Sequence, residues 1–121
     1  MSRDHRKLHA FVAAGALIPD VYRCTSGFPI EERFGLQAQI RRAAVSIATN
    51  IVEGSARSTS REYCRFLEVA FASARETAYL LTVARRLAFL PDGAATKLAT
   101  EYDEVAAMLH NAVRALESAD R

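Results

Sequence analysis

Apolar residues recur every three or four positions along almost the whole chain, and clusters of Gly, Pro, Ser and Thr interrupt the pattern at three places. This spacing puts apolar side chains on one face of a helix. It predicts four helices, at about 4–24, 30–53, 59–90 and 92–118. The predicted connections are short, which favours antiparallel neighbours. We therefore predict an all-α fold, an up-and-down antiparallel four-helix bundle, with residues 1–121 forming a single domain.

Single residues refine the predicted helix ends and faces. Pro19 lies within the first helix, and because proline removes a backbone donor we expect a kink or a break near it. Gly54 is expected to end the second helix. Thr59 and Glu62 have the spacing of a capping box, which predicts the start of the third helix. The apolar seam of the first helix is expected at Leu8, Phe11, Gly15, Ile18 and Tyr22.

A polar stripe runs along the second helix beside its apolar face. Its members are three or four residues apart and therefore share one side of the helix: Gln39, Arg42, Ser46, Asn50 and Glu53. We interpret them as a structural polar network in which Glu53 accepts from Arg42 or Arg57, because a partly buried polar group must be paired. The alternative is that Asn50 and Glu53 belong to a phosphate-binding edge.

The third helix has two adjacent apolar seams. One alternates at four and three residues from Tyr63 to Ala88. The second includes Phe66, Val69, Leu80, Val83 and Leu87. Because a helix at the edge of an isolated bundle buries only one face, the second seam predicts contact with another copy of the chain. The alternative is that this helix is the most central one of a monomer.

Five motifs resemble a known family. They read VYRCT from Val21, FPIEE from Phe28, GLQAQIRRA from Gly35, SIATNIVEG from Ser46 and FLEVA from Phe66. The chain resembles the bacterial four-helix-bundle family whose first members were encoded by intervening sequences in large-subunit ribosomal RNA genes. Accessory proteins of diversity-generating retroelements look like members too. Ala48, Ala72 and Thr77 depart from the family pattern, which often has Pro, Gly and Leu there.

The resemblance implies properties beyond the fold. It implies a homo-oligomer, often a ring of five copies, with no established enzymatic activity. For relatives in retroelements it also implies binding of a reverse transcriptase and of nucleic acid, either RNA or DNA. These are expectations from the resemblance, and no spacing in the chain derives them.

Composition limits the class of protein. Half of the 121 residues are apolar and a quarter are charged, as in one soluble globular domain. The apolar run from Phe11 to Ile18 is too short to span a membrane, so we expect a cytoplasmic protein without a membrane partner. Cys24 and Cys64 are far apart and are expected to be reduced core thiols.

Basic residues are nearly all arginine, 14 of 16, and the charge is uneven. Residues 1–89 have 13 basic and 8 acidic side chains, while residues 90–121 have 3 and 6. Arginine pairs bidentately with phosphate, so we predict a partner surface that binds nucleic acid in a salt-sensitive way. Its candidate residues are Arg41, Arg57, Arg61 and Arg65. The alternative is a genomic base composition that favours arginine codons.

Motifs for catalysis are absent from the sequence. It contains no phosphate loop, no nucleophile elbow and no dinucleotide fingerprint. His5 and His9 have a spacing that can hold a metal, but His110 is remote and no further ligand supports them. We expect no metal, no cofactor and no enzymatic activity. The predicted function is a homo-oligomeric scaffold or accessory protein that binds nucleic acid. The alternative is an interaction module that docks a reverse transcriptase or another protein without binding nucleic acid itself.

Overall fold

Four helices follow one another along the chain in a computed structural model that describes residues 4–119. They are α1 at His9–Thr25, α2 at Leu36–Ser55, α3 at Ser60–Arg86 and α4 at Asp92–Ala119. Short 3-10 turns precede α1 and α2, at His5–Lys7 and Ile30–Glu32. Each helix packs against its neighbours in the chain, and α1 also packs against α4. The all-α four-helix bundle is therefore confirmed.

The core lies where the four helices face one another. α2 contributes three fully buried isoleucines, and α3 and α4 contribute the other large side chains around them. The largest fully buried ones are Tyr102, Ile40, Ile47, Ile51, Leu67, Leu81 and Leu109. Because α3 packs extensively against both α2 and α4, it is the most central helix of the bundle.

The expected apolar seam of α1 is wrong at Gly15 and Tyr22, which are exposed, whereas Leu8 and Phe11 are half-buried against the core. The side chains that α1 buries fully are Ala10, Ala14, Leu17, Val21 and Thr25. The periodicity misled because α1 carries apolar residues on its outer side as well, among them Val12. The helix continues unbroken through Pro19, which is exposed, so the expected break is not found.

The start of α2 also differs from its prediction. Helix geometry begins at Leu36, six residues later than expected, because Ile30–Glu32 forms a 3-10 turn instead. The Glu32 carboxylate then accepts a hydrogen bond from the Leu36 amide at 3.1 Å. That bond satisfies a donor at the helix start, where the backbone has no partner of its own.

Gly54 does not end α2, which continues to Ser55. A Cβ atom at Gly54 would lie 2.7 Å from Phe66 Cβ and 2.9 Å from Tyr63 Cδ1. Glycine is therefore required for the close approach of α2 to α3. The predicted capping box is present, with the Glu62 amide donating to Thr59 Oγ1 at 3.1 Å.

The end of α3 comes at Arg86, before the predicted 90. Ala88 adopts a left-handed conformation with φ of 61°. The Ala88 amide donates to the Arg85 carbonyl and the Phe89 amide to the Ala84 carbonyl, both at 2.9 Å. This pair of bonds is the Schellman ending of a helix. Leu90 then turns back into the core.

Candidate functional site

Two members of the predicted polar stripe join α2 to α3. Ser46 Oγ lies 3.0 Å from Ser73 Oγ, a hydrogen bond between the two helices. Asn50 Nδ2 donates to the Ser46 carbonyl at 2.8 Å and to Ser46 Oγ at 3.0 Å. Thr77 in turn donates to the Ser73 carbonyl at 2.7 Å. The half-buried groups at this helix contact are thus mutually satisfied.

The other three members of the stripe do not complete that network. Gln39, Arg42 and Glu53 are exposed. Ion pairs within residues 4–119 include Asp4–Arg6, Asp20–Arg23 and Arg75–Asp103, and Glu53 and Arg42 take part in none of these. The expected pairing of Glu53 with Arg42 is therefore wrong, since both side chains are exposed, and the pairing with Arg57 stays a prediction.

Arg41 lies apart from the other three arginines of the predicted partner surface. It is half-buried, its Nε donates to Thr25 Oγ1 at 2.9 Å, and its Nη2 donates to the Tyr22 carbonyl at 3.2 Å. Its guanidinium also stacks 4.4 Å from the centre of the Tyr22 ring. Gln37 adds a bond to the Thr25 carbonyl at 2.9 Å. Arg41 and Gln37 therefore fasten α2 to the end of α1, where each donates to one of the terminal carbonyls.

Arg57, Arg61 and Arg65 lie together around the start of α3 and are exposed. The Arg57 guanidinium stacks over the Phe66 ring at 4.7 Å. Arg61 and Arg65 are one helical turn apart, and so their guanidinium groups share one side of α3. This arrangement offers adjacent cations to an anionic partner.

An uncharged outer surface extends over α1 and α2. Residues 10–19 and residues 43–52 contain no charged side chain. The antiparallel register places these segments side by side, because Tyr22 contacts Arg41 at one end and His5 contacts Ser55 at the other. We define the α1/α2 face by its partly or fully exposed members: Val12, Gly15, Ile18, Tyr22, Val45, Ala48 and Val52.

One end of this face opens into a groove between the two helices. The groove encloses about 470 Å³ and is lined by Tyr22, Arg41, Arg42, Val45, Ser46 and Thr49. We name it the Tyr22/Val45 groove. Tyr22 and Val45 supply most of its apolar surface, and Arg41 and Arg42 lie at one end of it.

The connection between α1 and α2 carries two apolar side chains that project into solvent. Ile30 is 78% exposed and Phe34 is 87% exposed. The Arg33 guanidinium lies 5.5 Å from the centre of the Phe34 ring. We name this pair the Ile30/Phe34 knob. Sequence reasoning missed it, because helical periodicity assigned these residues to α2, where a buried and an exposed apolar residue look alike.

Much of the second apolar seam of α3 is buried or half-buried within the chain itself. Leu80 is only 7% exposed and belongs to the chain's own core. Phe66 and Val83 are half-buried, whereas Val69 and Leu87 are exposed. The assignment of Leu80 to an oligomer contact is therefore wrong, since α3 lies between α2 and α4 and buries both of its seams in part.

Side chains that can bind metal are scattered over the part of the chain that the structure describes. Within residues 4–119 there is no group of three or more His, Cys, Asp or Glu that could hold a metal ion. Burial raises the pKa of the half-buried Cys24 thiol. Burial likewise raises the pKa of Tyr102, whose hydroxyl has no hydrogen-bond partner in the described part of the chain. None of the helices between residues 4 and 119 has the length and apolar character needed to cross a membrane.

Comparison with known proteins places the chain among structural relatives. The sequence model of a family described as 23S rRNA-intervening sequence protein matches residues 6–111. No curated protein matches the chain. A crystal structure from Bacteroides thetaiotaomicron, described as a protein with unknown function from the S23 ribosomal protein family, has a TM-score of 0.80. Its identity is 18%, and the alignment covers 94% of this chain and 99% of that one. At this identity the likeness concerns the fold alone.

Proposed function

The chain belongs to the 23S rRNA-intervening sequence protein family, and we propose that it acts as a non-enzymatic, homo-oligomeric scaffold or accessory protein that binds nucleic acid. Copies associate through the α1/α2 face, and each copy offers Arg61 and Arg65 to phosphate groups. Five copies are expected from the family resemblance.

The uncharged α1/α2 face carries this proposal. Val12, at its centre on α1, is 58% exposed, and a Cβ atom at Gly15 would meet nothing within 4 Å. Glycine inside a helix costs about 1 kcal/mol relative to alanine, and no close contact within the chain requires it at this position. Soluble monomers rarely expose large contiguous apolar surfaces, and such surfaces mark sites of association. Packing of a second copy would bury the apolar residues and use the small side chain.

Exposed arginines support the nucleic-acid part of the proposal. Arg61 and Arg65 contact phosphate without reading base sequence, and a single pair of such contacts is weak. An oligomer repeats the pair once per copy. Because a strand held by one pair meets the next at high effective concentration, the weak contacts add up. Assembly is thus what makes a chain of net charge +2 an effective nucleic-acid binder.

Light-scattering mass on a sizing column tests the association. Wild type is expected at a multiple of 13.3 kDa. Val12→Glu places a charge on the α1/α2 face and is expected to reduce the mass towards one chain. Met108→Glu is the matched control, because Met108 is an exposed apolar residue in the middle of α4. A monomeric wild type, or equal loss of mass in both variants, would refute association through the α1/α2 face.

The same column reports bound nucleic acid. The chain has no Trp and only four Tyr, so co-eluting nucleic acid would dominate its absorbance at 260 nm. A high ratio of absorbance at 260 to 280 nm, lost after a high-salt wash, is the expected result. A multimer that binds no nucleic acid would favour the alternative function, docking of a protein partner such as a reverse transcriptase.

A further inference from the structure

We propose that the Ile30/Phe34 knob of one copy inserts into the Tyr22/Val45 groove of the next copy, so that copies associate head to tail. This inference rests on the self-association proposed above and specifies its contact. The α1/α2 face is then the surface that receives the knob, and the segment before α2 is the part that supplies it.

The backbone of the knob is held by hydrogen bonds and by a buried neighbour, although the knob side chains are exposed. Phe28 beside it is buried, and its ring lies 5.6 Å from the ring of Phe89. The Arg33 amide donates to the Ile30 carbonyl at 3.1 Å, and the Gly35 amide donates to the Glu32 carbonyl at 3.0 Å. A rigid segment loses little conformational entropy on binding, so its exposed apolar area converts efficiently into affinity.

Groove and knob are complementary in shape and charge. The groove volume of about 470 Å³ accommodates an aromatic side chain, and Tyr22 and Val45 give it apolar walls. Arg42, at the end of the groove, is exposed, and Glu31, between the two knob residues, is exposed as well. Insertion of the knob would bury Phe34 against Tyr22 and bring Glu31 near Arg42 of the neighbour. An aromatic pair of this kind adds to the free energy of apolar burial.

The occupant is a second copy because one chain carries both halves of the contact at different places. The knob does not fill the groove of its own chain, as the exposure of Ile30 and Phe34 shows. In a head-to-tail contact without two-fold symmetry, every pair keeps one unused knob and one unused groove. Further copies therefore add until a ring closes. A two-fold contact, in which each copy inserts its knob into the groove of the other, would stop at two copies.

Complementation between two variants tests this arrangement. The double variant Ile30→Ser with Phe34→Ser removes the knob and keeps the groove. Thr49→Arg obstructs the groove and keeps the knob; Thr49 is exposed, so the core is untouched. Each variant alone is expected at 13.3 kDa by light scattering. An equimolar mixture is expected to form a dimer and nothing larger, because only one knob and one groove remain between the two chains.

Two controls separate the contact from loss of folding. Tyr79→Ser changes an exposed aromatic residue of α3 that lies outside both of its apolar seams, and it is expected to leave the mass of the wild-type assembly unchanged. Circular dichroism checks the helix content of every variant. A charge exchange gives an independent readout that leaves the apolar residues in place: Arg42→Glu is expected to weaken assembly about tenfold or more, and Glu31→Arg in the same chain to restore it.

Each contrary outcome has its own meaning. A knob variant that assembles like wild type overturns the head-to-tail contact and leaves the proposed function intact. A folded mixture that stays monomeric also overturns it. If Phe34→Ser leaves assembly intact but abolishes oligonucleotide binding, then the knob contacts nucleic acid, and the proposal is wrong. A monomeric wild type refutes the proposed self-association itself.

Discussion

Two glycines of the bundle, Gly15 and Gly54, have opposite surroundings. Both lie inside helices, where glycine is unfavourable. Gly54 is buried between α2 and α3, and the side chains of Tyr63 and Phe66 leave no room for a Cβ atom. Gly15 lies on the α1/α2 face with open space around it. Gly54 is thus explained within the chain, whereas no contact within the chain requires Gly15.

Alanine at these two positions is expected to have opposite effects on stability. Gly54→Ala should lower the free energy of unfolding by about 1–3 kcal/mol, because the added methyl group forces α2 and α3 apart. Gly15→Ala should raise the free energy of unfolding of the monomer by about 0.5–1 kcal/mol, because alanine restricts the unfolded chain and suits a helix. Urea denaturation followed by circular dichroism, at protein concentrations low enough to keep monomers, measures both. An unaltered stability of Gly54→Ala would contradict the tight contact between the helices.

Helices were predictable here, and their functional faces were not. The repeat of three and four residues indicated all four helices, and the capping box marked the start of α3 correctly. The faces of α1 were misassigned because apolar residues lie on both its inner and its outer side. Periodicity detects an apolar side, but it cannot choose between two apolar sides of one helix.

Hydrogen bonds between segments that are far apart in the sequence could not be predicted from the spacing of residues. The bonds of Arg41 go to Tyr22 and Thr25, which precede it by 19 and 16 residues. Only the packing of α1 against α2 brings these groups together. By contrast, Ser46 and Asn50 were found from spacing, because their partners lie on the same helix or directly across it.

Because Arg41 bonds to the end of α1, its substitution should lower the free energy of unfolding more than substitution of an exposed arginine does. Arg41→Gln removes the bonds to the end of α1 and should lower the free energy of unfolding by about 1–3 kcal/mol. Arg61→Gln should change the free energy of unfolding by less than about 0.5 kcal/mol, because Arg61 is exposed and lies outside the ion pairs of residues 4–119. Urea denaturation of both variants gives the comparison. Equal stabilities would show that the bonds of Arg41 contribute nothing.

At the scale of the whole molecule, the positions of the positive charges matter as well as their number. The bundle has three short connections, so residues near the ends of consecutive helices gather at one end of the molecule. The end formed by the start of α3 holds Arg61 and Arg65, while the opposite end holds Arg86 and Lys97. Both pairs add two positive charges, and net charge alone therefore does not distinguish them. Their positions at opposite ends of the bundle do.

Matched charge removal at the two ends tests which pair binds nucleic acid. The double variant Arg61→Gln with Arg65→Gln and the double variant Arg86→Gln with Lys97→Gln have the same net charge. Fluorescence anisotropy of a labelled single-stranded oligonucleotide, recorded over a range of salt concentrations, measures the affinity of each. For single-stranded nucleic acid, each phosphate contact makes the slope of log affinity against log salt steeper by about 0.7.

Because we propose that Arg61 and Arg65 contact phosphate, we expect the two double variants to differ in the slope of log affinity against log salt. The first variant should bind with a slope shallower by about 1.4 for each copy that touches the strand, since two contacts are removed per copy. The second should keep a slope close to that of the wild type. Equal losses would mean that the oligonucleotide responds only to net charge, and an unchanged slope in both would place its contacts elsewhere. Because all four side chains are exposed, a difference between the two variants reflects where the charges lie and not a loss of folding.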